Sequence, residues 1–442
     1  MSLALALSAV LLASLLLQAR LPGARLLVVL LGAALSITIA TLGGLGSASS
    51  MLADVPWDVL VILVALGLMS ELFVEARLFS VLAVRAATAS RATALGIALV
   101  FGSAMYLTSA LMNNLTALVL VLPVVLVLFR VIGVTRRQAA WTMGFLLVAC
   151  NLGGAATPIG DFPAILLLGR GSMSFGDYLR HALPATFVGL VVFGALACAV
   201  VRRSAVHQDA ISASISLALI RALYRGAALE RRLFIPLSVT FCAMLLTWSF
   251  APRDWGLGAE HVAWLGVGAA LALRPKLGER LLRTRVDVES VLFLLGLFVM
   301  VVAVRRTGVF SEAARLLVSL PIPAEAQLVV FLVVSGLLTG VFSAGPSMAA
   351  LLEVAQVLAT RLPGQIVYVG LALSVCAGSS LFLTAATAGP LAQSLTERAG
   401  IVDERGAPLR FGFADYLPVG LVGYAVIQLL AVGYALWGLA SS

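Results

Sequence analysis

The amino-acid sequence predicts an all-α polytopic membrane protein built from two inverted five-helix repeats. Three observations carry this prediction. The 442 residues are 62% hydrophobic and only 11% charged, whereas soluble proteins carry about 25% charged residues. Apolar stretches long enough to cross a bilayer recur along the chain. Some of these stretches are interrupted at their centres by Gly, Pro, Ser, Thr and Asn, and the interrupted stretches come in matching pairs.

This composition excludes soluble enzymes, because even a large folded domain leaves about a quarter of its unfolded surface in water. The formal net charge of +9 does not indicate nucleic-acid binding, since basic residues of membrane proteins gather at cytoplasmic helix ends. We therefore expect the lipid bilayer as a partner and no nucleic acid. No metal motif, nucleophile elbow or histidine triad stands out near the predicted midplane, so we do not expect an enzyme.

Eight uninterrupted spans are predicted. The first, at residues 3–18, has no positive charge before its apolar stretch, which a signal peptide would need, so we expect a retained helix. The other seven are residues 24–43, 57–76, 182–201, 232–250, 260–274, 289–304 and 418–438.

Four interrupted regions complete the predicted topology. Residues 93–130 and 326–360 are interpreted as re-entrant hairpins, and residues 137–169 and 364–396 as discontinuous helices that cross the bilayer. With this assignment most of the 29 Arg and Lys residues fall on one face. The positive-inside bias makes that face cytoplasmic and places both termini outside. The heavy use of Ala, Leu and Arg indicates a GC-rich bacterial genome, so we expect the inner membrane of a bacterial cell.

An internal repeat relates the two halves of the chain. Asp58-Val59 with Gly67 matches Asp287-Val288 with Gly296, and Phe-Gly-Asp-Tyr-Leu at 175–179 matches Phe-Ala-Asp-Tyr-Leu at 413–417. The predicted units are residues 1–202, a cytoplasmic linker at 203–231, and residues 232–442. Each unit has an odd number of crossings, so the second must be inverted. Inverted repeats with broken helices are typical of secondary transporters.

The interruptions supply the candidate binding residues. A helix broken at mid-membrane exposes N–H groups that favour anions and carbonyls that, with Asn, Ser and Thr oxygens, suit Na⁺. Asp161 is the only carboxylate in these segments, which makes it the candidate for proton or cation coupling. The predicted solute and ion site consists of Asn113, Asn114, Thr116, Asn151, Gly153, Gly154, Thr157, Gly160, Asp161, Ser343, Gly345, Ser347, Gly378, Ser379, Ser380, Thr384 and Thr387.

We expect no cofactor, and a bound Na⁺ is the one ion that these oxygen ligands indicate. Cys150 and Cys376 enter the two broken helices at matching places and are the candidates for soft thiol ligands to a thiophilic solute. The alternative, two small residues of the core, is favoured by the apolar sequence around both cysteines.

The motifs resemble the ArsB/NhaD branch of the ion transporter superfamily, which contains arsenite permeases and sodium/proton antiporters; divalent anion/sodium symporters are more distant. Asn113-Asn114-Leu115-Thr116 resembles that branch's Asp-Asn-Val-Thr hairpin tip. Residues 151–163, from Asn-Leu-Gly-Gly to Gly-Asp-Phe-Pro, look like its Asn-Ile-Gly-Gly-Thr-Ala-Thr-Leu-Ile-Gly-Asp-Pro-Pro motif. The resemblance implies a scaffold and a transport domain, a homodimer and elevator-type alternating access.

The sequence departs from this family pattern at several places. Asn113 stands where Asp is usual, Ala164 stands where Asn is usual, and Ser379-Ser380 replaces Asn-Gly. We therefore expect a secondary active transporter of a small inorganic or organic ion, coupled to Na⁺ or H⁺. Efflux of arsenite or another oxyanion, Na⁺/H⁺ antiport and carboxylate uptake stay open within this class, and a passive ion channel is the alternative outside it.

Overall fold

The computed structural model describes residues 2–21, 24–91, 93–169, 172–204, 228–250, 257–386, 388–403 and 406–441. Within these ranges the chain is helical, apart from connecting turns and one isolated β-bridge between Val402 and Pro408. The predicted all-α membrane fold is confirmed. Eight of the described helices are long and apolar enough to cross a membrane.

Ten described helices form the first half of the chain. They are α1 (Leu3–Arg20), α2 (Arg25–Leu42), α3 (Ala48–Ala53), α4 (Trp57–Glu75), α5 (Leu78–Ala89), α6 (Ala94–Ser109), α7 (Asn114–Ile132), α8 (Arg136–Ala156), α9 (Phe162–Gly169) and α10 (Phe175–Arg203). The first predicted hairpin is thus α6 and α7, and the first predicted broken helix is α8 and α9.

Ten described helices follow in the second half, in a similar order of lengths. They are α11 (Arg231–Phe250), α12 (Ala259–Ala272), α13 (Pro275–Thr284), α14 (Val288–Arg305), α15 (Val309–Val318), α16 (Ala324–Phe342), α17 (Ala344–Leu358), α18 (Gly364–Ser379), α19 (Ala388–Ala399) and α20 (Phe413–Ser441). The second hairpin is α16 and α17, and the second broken helix is α18 and α19. Most of the predicted linker at 203–231 lies outside the described residues.

Two predicted spans begin too late, and the structure shows why. The pentapeptides at 175–179 and 413–417 do not precede α10 and α20, as hydropathy predicted, but form their first turns. At α10 the Ser174 hydroxyl accepts a hydrogen bond from the Asp177 N–H at 3.1 Å. A capped polar first turn is stable in water, so hydropathy does not detect it.

Helix packing follows the same pattern in both halves. In each half the first hairpin helix packs on the first half of the broken helix, α6 on α8 and α16 on α18, and the broken helix packs on the last helix, α8 on α10 and α18 on α20. Two further contacts join the halves: α2 of the first half packs on α14 of the second, and α12 of the second half packs on α4 of the first. These contacts pack helices of the two halves against each other.

Candidate functional site

A cavity of about 140 Å³, which we call the main cavity, lies where the two hairpin tips meet the first broken helix. Its walls come from α2, α4, α14, both hairpins and the start of α9. The lining residues that carry the argument are Arg25, Gly67, Asn113, Asn114, Gly160, Asp161, Ser290, Phe293, Ser343 and Gly345. Six of these were predicted from the sequence: Asn113, Asn114, Gly160, Asp161, Ser343 and Gly345.

The tip of the first hairpin is bonded to the break in α8–α9. Asn113 caps α7, since its side-chain Oδ1 accepts from the Leu115 N–H at 2.8 Å. The next residue, Asn114, donates from Nδ2 to Asp161 Oδ2 at 3.0 Å. The Thr157 hydroxyl donates to the Ala110 carbonyl at 2.5 Å. These bonds make the hairpin tip and the broken helix one unit.

Asp161 is held at the beginning of α9. Its Oδ1 accepts from the Phe162 N–H at 2.8 Å, while Oδ2 faces Asn114. Among the described residues it is the only carboxylate that lines the main cavity. Gly160 allows the chain to pass close to the hairpin, because a Cβ there would lie 2.6 Å from the Ser109 carbonyl oxygen. The local geometry therefore presents one negative charge beside backbone groups of the break.

The tip of the second hairpin has a different local structure. Ser343 adopts a φ of 77° between α16 and α17, and its side chain makes no capping bond to α17. Ala344 and Gly345 also line the cavity. Ser347, in the first turn of α17, is buried, and its hydroxyl has no hydrogen-bond partner within the described part of the chain. The first N–H groups of α17 are thus left without a side-chain cap.

The predicted residues of the second broken helix are mostly engaged in packing. Asn151 donates from Nδ2 to Ser380 Oγ at 3.0 Å, which joins the two broken helices directly. Ser379 donates back to the Val375 carbonyl at 2.8 Å. Asn151, Gly154, Asp161 and Ser379 line a void of about 10 Å³ beside the main cavity. A void of this size holds about one water molecule.

The other predicted residues fall into four groups. Gly153 packs on α6, where a Cβ would lie 2.3 Å from the Tyr106 carbonyl oxygen, and Gly378 packs on α16. Thr116 lines a second chamber of about 150 Å³, which adjoins the main cavity through Gly67 and Asn113. Thr384 is exposed and lines neither chamber. Thr387 lies outside the described residues.

The matched pentapeptides have a role at the breaks that the sequence did not reveal. The Tyr178 hydroxyl donates to the Ala155 carbonyl at 2.8 Å, and the Tyr416 hydroxyl donates to the Ser380 carbonyl at 2.8 Å. Both carbonyls lie at or next to the end of the first helical part of a broken helix. Each tyrosine therefore satisfies a backbone oxygen that the interruption leaves without its helical partner.

The cavity also contains residues that sequence reasoning missed as site residues. Arg25, Ser290 and Phe293 belong to ordinary apolar spans, and only the charge of Arg25 marked it, as a basic residue near the membrane edge. Cys150 and Cys376 are buried and do not line the main cavity, although Cys376 lines the void of about 10 Å³ beside it. Across the described ranges no group of three or more His, Cys, Asp and Glu side chains is arranged to hold a metal ion.

Hairpin tips and a helix break that together line one small cavity, in an all-helical apolar chain, define the class of membrane transporters. Residues 13–389 match the family described as citrate transporter. The chain belongs to this citrate transporter family, whose members are transporters and not enzymes.

Curated relatives and a solved structure are similar to the chain over most of its length. The chain is 28% identical over 417 residues to the 46 kDa membrane protein of Mycobacterium leprae, covering 93% of each chain. It is 26% identical over 425 residues to the magnetosome protein MamN of Paramagnetospirillum magneticum, covering 92% of this chain and 93% of that one. The YdaH transporter of Alcanivorax borkumensis has a similar fold, with a TM-score of 0.51, 15% identity and coverage of 86% and 84%. The narrower resemblance to the ArsB/NhaD branch stays a prediction.

Proposed function

We propose that the protein is a secondary active transporter that carries a small ion across the cytoplasmic membrane, with Na⁺ or H⁺ as the coupling ion. The observation that carries this proposal is the main cavity, where both hairpin tips and the first break contribute polar groups to one space. A citrate-like carboxylate is the first solute to test, because the family is named for citrate.

The proposed architecture is two inverted repeats, residues 1–202 and 232–442, which supply a scaffold and a transport domain to an elevator mechanism in a homodimer. The contacts between the halves, of α2 with α14 and of α12 with α4, support the inverted repeat. With inverted repeats the two hairpins enter from opposite sides of the bilayer, and the solute lies between their tips. Ten crossings place both termini on the same side, and the positive-inside bias makes that side the outside of the cytoplasm.

Asp161 is the proposed coupling residue. It is the negative charge of the cavity, and a cation or proton that binds to it changes the charge that the site presents to the solute. Coupling requires that this binding favour one state of the carrier over the other, since a ligand shifts an equilibrium only by its differential affinity. The remaining polar residues of the two hairpin tips and the break are the proposed solute and ion ligands.

Transport by the variant Asp161→Asn tests this role. In proteoliposomes we expect uptake driven by a Na⁺ or pH gradient to be lost, because the variant has no carboxylate in the main cavity. Asp177→Asn is the matched control, since Asp177 lies in the first turn of α10, where its Oδ2 accepts from the Ser174 hydroxyl at 2.6 Å, and does not line the cavity. Full transport by Asp161→Asn at equal expression would remove Asp161 from the mechanism.

The gradient requirement separates a carrier from a channel. A carrier accumulates solute against its gradient only while a Na⁺ or pH gradient exists, whereas a channel dissipates the solute gradient in either condition. A thermal-shift screen of the purified protein with Na⁺, Li⁺, citrate and arsenite identifies the ligands, because compounds that bind only the folded state raise Tm. Accumulation of citrate without any ion gradient would contradict coupling.

A further inference from the structure

Arg25 is the only basic side chain among the described residues that line the main cavity. It is the first residue of α2, and its side chain is about one-third exposed. The lining also includes Gly67 of α4 and Ser290 and Phe293 of α14. A positive charge therefore belongs to the space that holds the proposed solute.

The guanidinium of Arg25 is held from one side. Its Nε and Nη2 donate to Glu289 Oε1 at 3.2 and 3.0 Å, and its Cζ lies 5.9 Å from the ring centroid of Phe293. Glu289 itself does not line the cavity. A guanidinium has five N–H donors, and these two bonds use only two of them. The pair thus fixes the guanidinium of a cavity-lining residue, while the carboxylate that pairs with it does not line the cavity.

The start of α17 adds a second feature that favours negative charge in the same cavity. The backbone N–H groups of Ala344 and Gly345 begin this helix, and no side chain caps them. The first turn of a helix carries partial positive charge and binds anions. By contrast, the start of α7 is already capped by Asn113, so the two hairpin tips are chemically unlike.

We propose that Arg25 is a specificity-determining residue that binds the anionic group of the solute and selects anions over neutral solutes. This inference rests on the proposed carrier function and assigns the part of its site that binds negative charge. Arg25 and the start of α17 hold the anionic group, while Asp161, which lines the same cavity, binds the coupling cation or proton. A guanidinium suits a carboxylate because its parallel N–H groups match both oxygens.

A purely structural role for Arg25 would lie in the ion pair with Glu289, which links α2 to α14. The variants Arg25→Gln and Glu289→Gln both break that pair, but only Arg25→Gln removes the cation from the cavity. Arg25→Lys keeps the charge and loses the planar fork. Binding of sodium citrate to each purified variant is measured by calorimetry, with sodium arsenite, mostly uncharged arsenous acid at neutral pH, as the neutral probe and sodium chloride as the ionic control.

We expect Arg25→Gln to weaken citrate binding by about tenfold or more, as for the loss of a hydrogen bond to a charged group. Glu289→Gln should stay within about twofold of the unsubstituted protein, and Arg25→Lys should fall between them. The rise in Tm on addition of Na⁺ should be the same in all variants, which shows that each is folded. Equal losses in Arg25→Gln and Glu289→Gln would overturn the inference in favour of the structural role.

The carrier proposal and this inference fail in different ways. If the unsubstituted protein binds arsenite or Na⁺ but neither citrate nor a panel of succinate and phosphate, the inference is overturned and the carrier function stands. If gradient-driven transport is absent while citrate binding still depends on Arg25, the anion site stands and the carrier function fails.

Discussion

Tyr178 and Tyr416 give the sharpest test of how the broken helices are stabilised. The two hydroxyls donate to the Ala155 and Ser380 carbonyls, each at 2.8 Å, and both tyrosines are at most 2% exposed. Replacing either with Phe keeps the ring and removes only the donor. Leaving one buried carbonyl without its partner costs about 1–3 kcal/mol, so each variant should lose that much free energy of unfolding.

Tyr434→Phe is the matched control. The Tyr434 hydroxyl is buried and has no hydrogen-bond partner in the described part of the chain, so its loss should change the free energy of unfolding by less than about 0.5 kcal/mol. Chemical denaturation of the detergent-solubilised protein, followed by the fluorescence of its 6 tryptophans, measures the three variants. If Tyr178→Phe and Tyr416→Phe are as stable as Tyr434→Phe, the tyrosines do not hold the breaks.

Two further substitutions follow from the packing. Gly378→Ala should lower the free energy of unfolding by about 1–3 kcal/mol, because the new Cβ would lie 2.2 Å from the Gly336 carbonyl oxygen. Gly433→Ala is the control and should not be destabilised, because a Cβ there would meet nothing within 4 Å. Equal denaturation midpoints for the two variants would contradict this prediction. The double variant of Cys150 and Cys376 to Ala should retain any metalloid resistance of cells, because neither thiol lines the main cavity; lost resistance at full expression would restore the soft-ligand hypothesis.

Hydropathy and breaker residues predicted the helices because both effects are local. The hairpins and broken helices begin and end close to the predicted limits, since an interrupted apolar run can only be satisfied by polar turns at those points. Four short helices, α3, α5, α13 and α15, were missed. They are too short to span a bilayer, so a search for bilayer-length apolar stretches does not detect them; α5 and α13 directly follow predicted spans.

The site was predicted where a motif places its residues close together in sequence. Asn114 and Asp161 were found in this way, and they are hydrogen-bonded. Arg25 was missed because its neighbours in the cavity come from distant segments, such as Phe293. Which glycines face the cavity was also beyond the sequence, since Gly160 lines it whereas Gly153, in the same motif, packs on α6. The direction of each residue depends on tertiary packing.

Two glycines at matching places in the sequence lie in unlike surroundings. Gly67 of α4 lines both chambers, and a Cβ there would meet nothing within 4 Å. Gly296 of α14 packs on α2, where a Cβ would lie 2.8 Å from Val29 Cγ1. Both glycines lie near the middle of their helices, α4 at Trp57–Glu75 and α14 at Val288–Arg305, so matching sequence positions of the two halves differ in how closely their neighbours pack.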